Sequence, residues 1–261
     1  IVDKPAIQYI VEEAFASGIE EVLIITNRNK GAIEDHFDHS YELEDKLKGN
    51  ESKKKIYEDV LACSNFGNIY FLRQKETKGL GHAVLCAKNF VGNEPFAVLY
   101  GDDVILSETP CTKQLCDAYE KYGKGVVGVK EVPGMAITKY CSLKTEPLEG
   151  NCYTCTDMIE KPKPEEIMGN FSILGRVVLP PQIFDILENT PLGAGNELQL
   201  TDAMKTLAQT DGVVAVDYEG VRYDMGNKFG ILQANIEVGL KHPETREELK
   251  AYLKKLAADL D

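Results

Sequence analysis

The chain predicts an α/β fold built on a doubly wound, mainly parallel sheet, with a smaller antiparallel stretch behind it. Two observations carry that reading. Short apolar runs alternate with amphipathic helical segments from Ile1 to Tyr122, the pattern of successive βαβ units. Beyond Tyr122, strand-like runs follow one another through short polar loops, the texture of antiparallel pairing.

Taken in order, the first segment is a helix. Asp3 caps it, Pro5 lies near its first turn and Gly18 ends it. Ile7, Ile10, Val11, Ala14 and Phe15 recur at i, i+3, i+4, i+7 and i+8, which turns one apolar face to a core. A buried strand over 22–26 precedes helices around 32–38 and 53–63. The segment 69–73 is a strand, 81–88 a helix, and 96–100 a strand closed by Gly101-Asp102-Asp103. A helix over 112–122 leads to strands at 126–132, 140–144 and 153–160, and Pro162 and Pro164 then break the chain. A strand at 172–177, helices at 181–188 and 201–209 and a strand at 213–218 follow. From Lys228 onward the chain is helical, with Pro243 between two helices. No repeat or long linker divides it, so residues 1–261 read as a single domain with C-terminal helices at about 228–261.

The balance of 43% hydrophobic and 27% charged residues in 261 suits a folded chain with an ample core. No apolar run approaches the roughly 20 residues that span a bilayer. Glu12 and Glu13 break the apolar residues near the start, so no secretory signal is expected. A net charge of -13 argues against a nucleic-acid polymer as partner. A small phosphorylated ligand, which needs only a few local donors, stays open. Seven scattered cysteines suit reduced thiols in the cytoplasm. Cys152 and Cys155 have CxxC spacing, but the second ligand pair of a structural zinc site is missing, since Cys111 and Cys116 are wrongly spaced.

Four segments carry candidate chemistry. Arg73-Gln74-Lys75-Glu76-Thr77-Lys78-Gly79-Leu80-Gly81-His82-Ala83 passes from a strand into a helix. Its glycines allow close backbone approach to a ligand, and Gln74 offers a donor and an acceptor to a base edge; a plain tight turn fits the same residues. Gly101-Asp102-Asp103 sits at the carboxyl end of a strand, where open α/β sheets bind ligands. Two carboxylates there suit Mg²⁺ held jointly with substrate phosphates, or simply a turn. In Met158-Ile159-Glu160-Lys161-Pro162, Glu160 can accept from sugar hydroxyls and Lys161 can pair with a phosphate. An exposed ion pair before a proline turn is the plainer alternative. Tyr223-Asp224-Met225-Gly226-Asn227-Lys228 enters a helix, with Asp224 either a second metal carboxylate or a helix cap. No G-x-G-x-x-G follows a strand with an acidic residue about 20 positions on, so a dinucleotide-dependent dehydrogenase is disfavoured.

In this order the four segments resemble the bacterial UTP–glucose-1-phosphate uridylyltransferases, within the sugar-nucleotide pyrophosphorylases. The opening Ile1-Val2-Asp3-Lys4-Pro5-Ala6-Ile7-Gln8-Tyr9 is similar too, as are Asn27-Arg28-Asn29-Lys30, Ile33-Glu34-Asp35-His36-Phe37 and Gly193-Ala194-Gly195-Asn196-Glu197-Leu198-Gln199-Leu200-Thr201-Asp202. The resemblance spans essentially the whole chain. It implies a Rossmann-like, doubly wound mixed sheet with a small antiparallel sugar-binding lobe. It also implies transfer of the uridylyl group of UTP to glucose 1-phosphate, Mg²⁺ as cofactor, the cytoplasm, and a dimer or tetramer of identical chains.

Residue by residue, the resemblance implies that Gln74 and Gly79 contact uracil and that Gly81 and His82 line the same turn. Asp102 and Asp224 would hold the metal, with Asp103 as a neighbour and alternative. Glu160 would hold glucose hydroxyls and Lys161 the glucose phosphate. Asn170, Gly175 and Glu197 would complete the sugar pocket, and Lys228 would face phosphate. The family also carries a strand and a G-x-G-T-R…K loop before the segment that opens this sequence, and neither is among the 261 residues. The expectation is a fold without its first strand, two neighbouring strands lacking a ladder partner, and weak or no turnover. A non-catalytic sugar-phosphate or nucleotide binder, a partner subunit, and a thymidylyltransferase on the same scaffold are the alternatives.

Overall fold

The periodic apolar stripe at the start folds as α1 (Ala6–Ala16) in a computed structural model that describes residues 1–258. Val11 of α1 clusters with Ile24 of β1 (Glu21–Thr26) and Phe37 of α2 (Gly31–Phe37). After α3 (Tyr41–Leu47) and α4 (Lys54–Ser64), β2 (Asn68–Arg73) runs parallel to β1 with Phe71 opposite Ile24. No periodicity in the sequence marks α3, which is charged and mostly exposed. The expected cap at Asp3 does not form. Pro5 holds the cap position without a side-chain bond, and Asp3 reaches His242 instead, Oδ2 to Nε2 at 3.2 Å.

The chain continues through α5 (Leu80–Cys86), α6 (Lys88–Val91), β3 (Phe96–Leu99), β4 (Asp103–Leu106), α7 (Cys111–Tyr122) and β5 (Gly125–Glu131). Then come β6 (Cys141–Glu149), β7 (Cys152–Glu160), β8 (Phe171–Leu179), α8 (Ile183–Asn189), α9 (Leu200–Thr210) and β9 (Val213–Asp217). The last described elements are β10 (Val221–Asp224), α10 (Lys228–Gly239) and α11 (Arg246–Ala258).

Six strands form the main sheet in the order β3-β8-β5-β9-β7-β6. It is mixed rather than mainly parallel, because β5–β9 is its one parallel pair. Parallel pairing requires a long crossover, usually helical, which α8 and α9 supply before β9. By contrast, β6 and β7 meet through the tight Gly150-Asn151 turn, and the connection from β7 to β8 holds no α-helix. The β6–β7 hairpin is continuous with the main sheet through the β7–β9 pairing. Strand alternation sends Val127 and Val129 to one face, with Ile183, Leu187, Leu200 and Met204 of α8 and α9. Val126 goes to the other, with Leu115 of α7, Val178, Val214 and Tyr218. Both faces of the sheet are thereby covered. The β1–β2 pair stands apart from this sheet, and among the described residues β1 pairs only with β2 and β3 only with β8.

One charge sits inside the layers. Arg176 on β8 is 1% exposed, and Glu13 on α1 meets it with Nη2–Oε2 at 2.6 Å and Nε–Oε1 at 3.0 Å. Glu13 Oε1 also accepts from the backbone N and Oγ1 of Thr112, at 3.0 and 2.7 Å, in the first turn of α7. This buried, charge-assisted network ties α1 and α7 to the strand that backs the site.

Candidate functional site

Asp102 and Asp224 come together because β4 and β10 pair antiparallel, with Asp103 opposite Asp224. β4 follows the Gly101-Asp102 turn without a break and β10 carries Arg222 and Asp224 among its four residues, so neither reads as a strand in the sequence. Met225 N donates to the Asp102 backbone carbonyl at 2.7 Å, and Gly226 N donates to Asp224 Oδ1 at 2.9 Å. A Cβ built on Gly226 would lie 3.0 Å from Asp224 Oδ1 and 3.1 Å from Asp102 Oδ2. Both carboxylates thus face one small space that the glycine leaves open. Two such carboxylates suit Mg²⁺, which keeps waters and takes further oxygens from substrate phosphates. Among the described residues no three or more His, Cys, Asp or Glu gather into an all-protein metal site. The helix-cap alternative for Asp224 is not realised: Asn227 caps α10, its Oδ1 accepting from Gly230 N at 2.7 Å.

Asp103 has a different setting from its neighbour. It is buried, and Arg222 Nε donates to its Oδ1 at 2.5 Å. Burial pushes its carboxyl up to about 6, against the opposing pull of Arg222. Arg222 Nη2 also lies 3.6 Å from Asp224 Oδ2, so one guanidinium spans both strands. Gly175, expected in a sugar pocket, is buried behind Asp103. Its φ is +90°, and an added Cβ would sit 3.1 Å from the Asp103 Cβ. The Gly175 carbonyl accepts from Tyr100 N and from Arg176 Nη1, both at 2.9 Å, which joins the carboxylates to the buried ion pair.

Glu160 ends β7, and its Oε2 accepts from Thr201 Oγ1 at 2.9 Å. Lys161 follows at φ +47°, with its N donating to the Tyr140 carbonyl at 2.7 Å. Its side chain is exposed and makes no ion pair among the described residues. The exposed Glu160–Lys161 pair therefore does not form. Burial, reinforced by Cys141, Glu160, Asp103 and Asp102, pushes the Tyr100 phenol up.

Gln74 follows β2, and its Nε2 lies 3.2 Å from the Gly79 carbonyl and 2.8 Å from His82 Nδ1. Gly79 has φ +97°, and a Cβ there would meet the Glu197 Cβ at 2.7 Å. Gly81 N donates to the Leu198 carbonyl at 2.9 Å, and Leu198 N to the Lys78 carbonyl at 2.8 Å. The segment 197–201 thus touches the Gln74 turn at one end and Glu160 at the other. Asn170 is exposed before β8, its carbonyl accepting from Val132 N at 2.8 Å, and Lys228 is exposed at the start of α10. Sequence reading missed Arg222, Thr201 and Tyr100. Arg222 was findable, because residues two apart on a strand share a face and it precedes Asp224 by two. The CxxC cysteines are free, with Cys155 buried and Cys152 half-buried, and all seven cysteines are unpaired thiols.

The fold is that of a mixed α/β nucleotidyltransferase, and the chain belongs to the nucleotidyl transferase family, whose profile matches residues 1–239. More particularly, it is 50% identical over 253 residues to the UTP–glucose-1-phosphate uridylyltransferase YngB of Bacillus subtilis strain 168, covering 97% of this chain and 85% of that one. Among solved structures it is similar to a UDP-glucose pyrophosphorylase complexed with UDP-glucose, at 38% identity and TM-score 0.81, with 97% and 88% of the two chains covered. A UTP-bound UGPase from Acinetobacter baumannii matches at 35% identity and TM-score 0.85, with 98% and 90% covered. No helix among the described residues is long and apolar enough to cross a membrane.

Proposed function

We propose that residues 1–261 act as one nucleotidyltransferase domain that transfers the uridylyl group of UTP to glucose 1-phosphate. A phosphate oxygen of the sugar attacks the α-phosphorus, the bond to the bridging oxygen breaks, and pyrophosphate leaves with that electron pair. The observation that carries this reading is the convergence of Asp102 and Asp224 on the space beside Gly226, in a chain half identical to named uridylyltransferases. No side-chain nucleophile is needed, so the work lies in positioning and charge compensation. Glu160, oriented by Thr201, holds glucose hydroxyls, and Lys161 holds the attacking phosphate as a point charge. Gln74, Gly79, Gly81 and His82 border the uracil, with Glu197 and Asn170 on the sugar side and Lys228 toward phosphate. Asp102 and Asp224 would hold Mg²⁺, which supplies charge neutralisation at phosphoryl oxygens.

Free thiols support a reducing compartment, the cytoplasm. Phe229, Leu232 and Ile236, exposed on α10, support an assembly of identical chains. The test of function is to supply UTP, glucose 1-phosphate and Mg²⁺ and follow UDP-glucose and pyrophosphate together. Equal yields of both support the reading. Pyrophosphate released without need of the sugar phosphate refutes it, and faster turnover with dTTP redirects it to thymidylyl transfer.

A further inference from the structure

We propose that His82 is a positioning residue that fixes which way round the Gln74 carboxamide faces a bound base, so that the site selects pyrimidines with a proton on ring nitrogen N3. The proposal rests on the reading that the 74–82 turn borders the base. The Gln74 backbone is anchored, its N donating to the Thr26 carbonyl at 2.8 Å. The side-chain nitrogen lies 3.2 Å from the Gly79 carbonyl. A backbone carbonyl can only accept, so the NH₂ end of the amide must be the end that faces it. The same nitrogen lies 2.8 Å from His82 Nδ1. One amide hydrogen goes to Gly79 and the other to His82, so Nδ1 must supply a lone pair and the ring proton sits on Nε2. The Cys86 thiol approaches the same Nδ1 at 4.0 Å, a weak donor toward the same lone pair.

Both donors of Gln74 are then spent inside the protein. Its Oε1, without a hydrogen-bond partner among the described residues, is left to accept from a ligand. Uracil offers N3–H to such an acceptor. Cytosine has a lone pair at N3, and two acceptors would face each other. A donor–acceptor pairing of this kind discriminates more sharply than shape alone, because the mismatched partner leaves both groups unpaired. Without the imidazole only the Gly79 bond holds the amide, and its nitrogen can turn outward to meet cytosine. Thymine also carries N3–H, so the device separates UTP from CTP and does not separate UTP from dTTP.

The experiment is a calorimetric titration of UTP and of CTP, each with Mg²⁺, into the full chain and its H82A, H82N and Q74A variants. H82A is expected to lower the preference for UTP over CTP about tenfold, the value of one hydrogen bond. H82N is expected to keep it, because Asn Oδ1 takes the place of Nδ1. An unchanged preference in H82A, with UTP binding weakened in Q74A, overturns the positioning role alone. Unchanged UTP binding in Q74A overturns the base-reading assignment beneath it. Nitrogen NMR of the unaltered chain decides independently of any variant's folding: an Nε2–H tautomer at His82 supports the proposal, and an Nδ1–H tautomer overturns it.

Discussion

Replacing Glu13 with alanine should be among the most damaging single changes, although the residue lies at the far end of the sequence from the strand it serves. Its carboxylate accepts from Arg176 Nη2 at 2.6 Å and Nε at 3.0 Å, and from Thr112 N and Oγ1 at 3.0 and 2.7 Å. Removing it leaves a guanidinium that is 1% exposed with no counter-charge, a situation that costs about 3–5 kcal/mol. It also strips a first-turn N–H of α7 of its acceptor, worth about 1 kcal/mol. For a chain of this size each kcal/mol moves the melting temperature by roughly 2–4 °C, so E13A should melt about 10–20 °C lower. Thermal unfolding followed by circular dichroism measures this directly. The pair E13L and R176M sharpens the test: E13L alone should be worse than both together, since the double variant strands no charge. An E13A midpoint within about 3 °C of the unaltered chain, or additive single effects in the cycle, would refute the reasoning.

Other perturbations test other parts of the structure. Burial pushes the Cys141 thiol up to about 11 and that of Cys155 up to about 12. The folded state then keeps protons that the unfolded chain releases above about pH 9, so stability should fall as pH rises from there, by about 1.4 kcal/mol per unit for each thiol. Urea midpoints at pH 8 and pH 10 check the sign; equal midpoints contradict it. G226A places a methyl within 3.1 Å of both site carboxylates on an exposed turn. It should weaken divalent-cation binding at least tenfold while shifting the melting temperature by no more than a few degrees, and intact cation binding would rule out the proposed space. G175A forces a side chain into a φ of +90° against Asp103. It should cost about 2 kcal/mol or more in urea unfolding, and a neutral result would contradict the packing described.

The apolar runs at 22–26, 69–73 and 96–100 were legible because each is a short apolar stretch bounded by turn residues. The ribbon of β4 and β10 was not. Asp103-Val104-Ile105-Leu106 follows a turn so closely that it reads as the turn's tail, and its partner lies 118 positions on, at Val221 to Asp224. No local period encodes such a pairing. Half of the carboxylate site was therefore visible as chemistry and invisible as geometry: Asp102 and Asp224 stood out, while Arg222, which spans Asp103 and Asp224, did not. Arg176 offered a signal of its own, since a charge inside the apolar run at 172–177 requires a buried partner. That the partner is Glu13, which in the sequence merely interrupts apolar residues, depends on a contact across the whole fold. Thr201 was hidden for the same reason, because only folding brings the start of α9 to the end of β7.

Gln74, Glu160, Lys161 and the paired aspartates are proposed to serve one site for a uridine diphosphate sugar. Titrating UDP-glucose into the chain and into its K161A and E160A variants tests it most directly, since that ligand carries base, phosphates and sugar together. Saturable binding at one site per chain, weakened about tenfold or more by each substitution, is the predicted result. No binding, or binding that both variants leave unchanged, would contradict it.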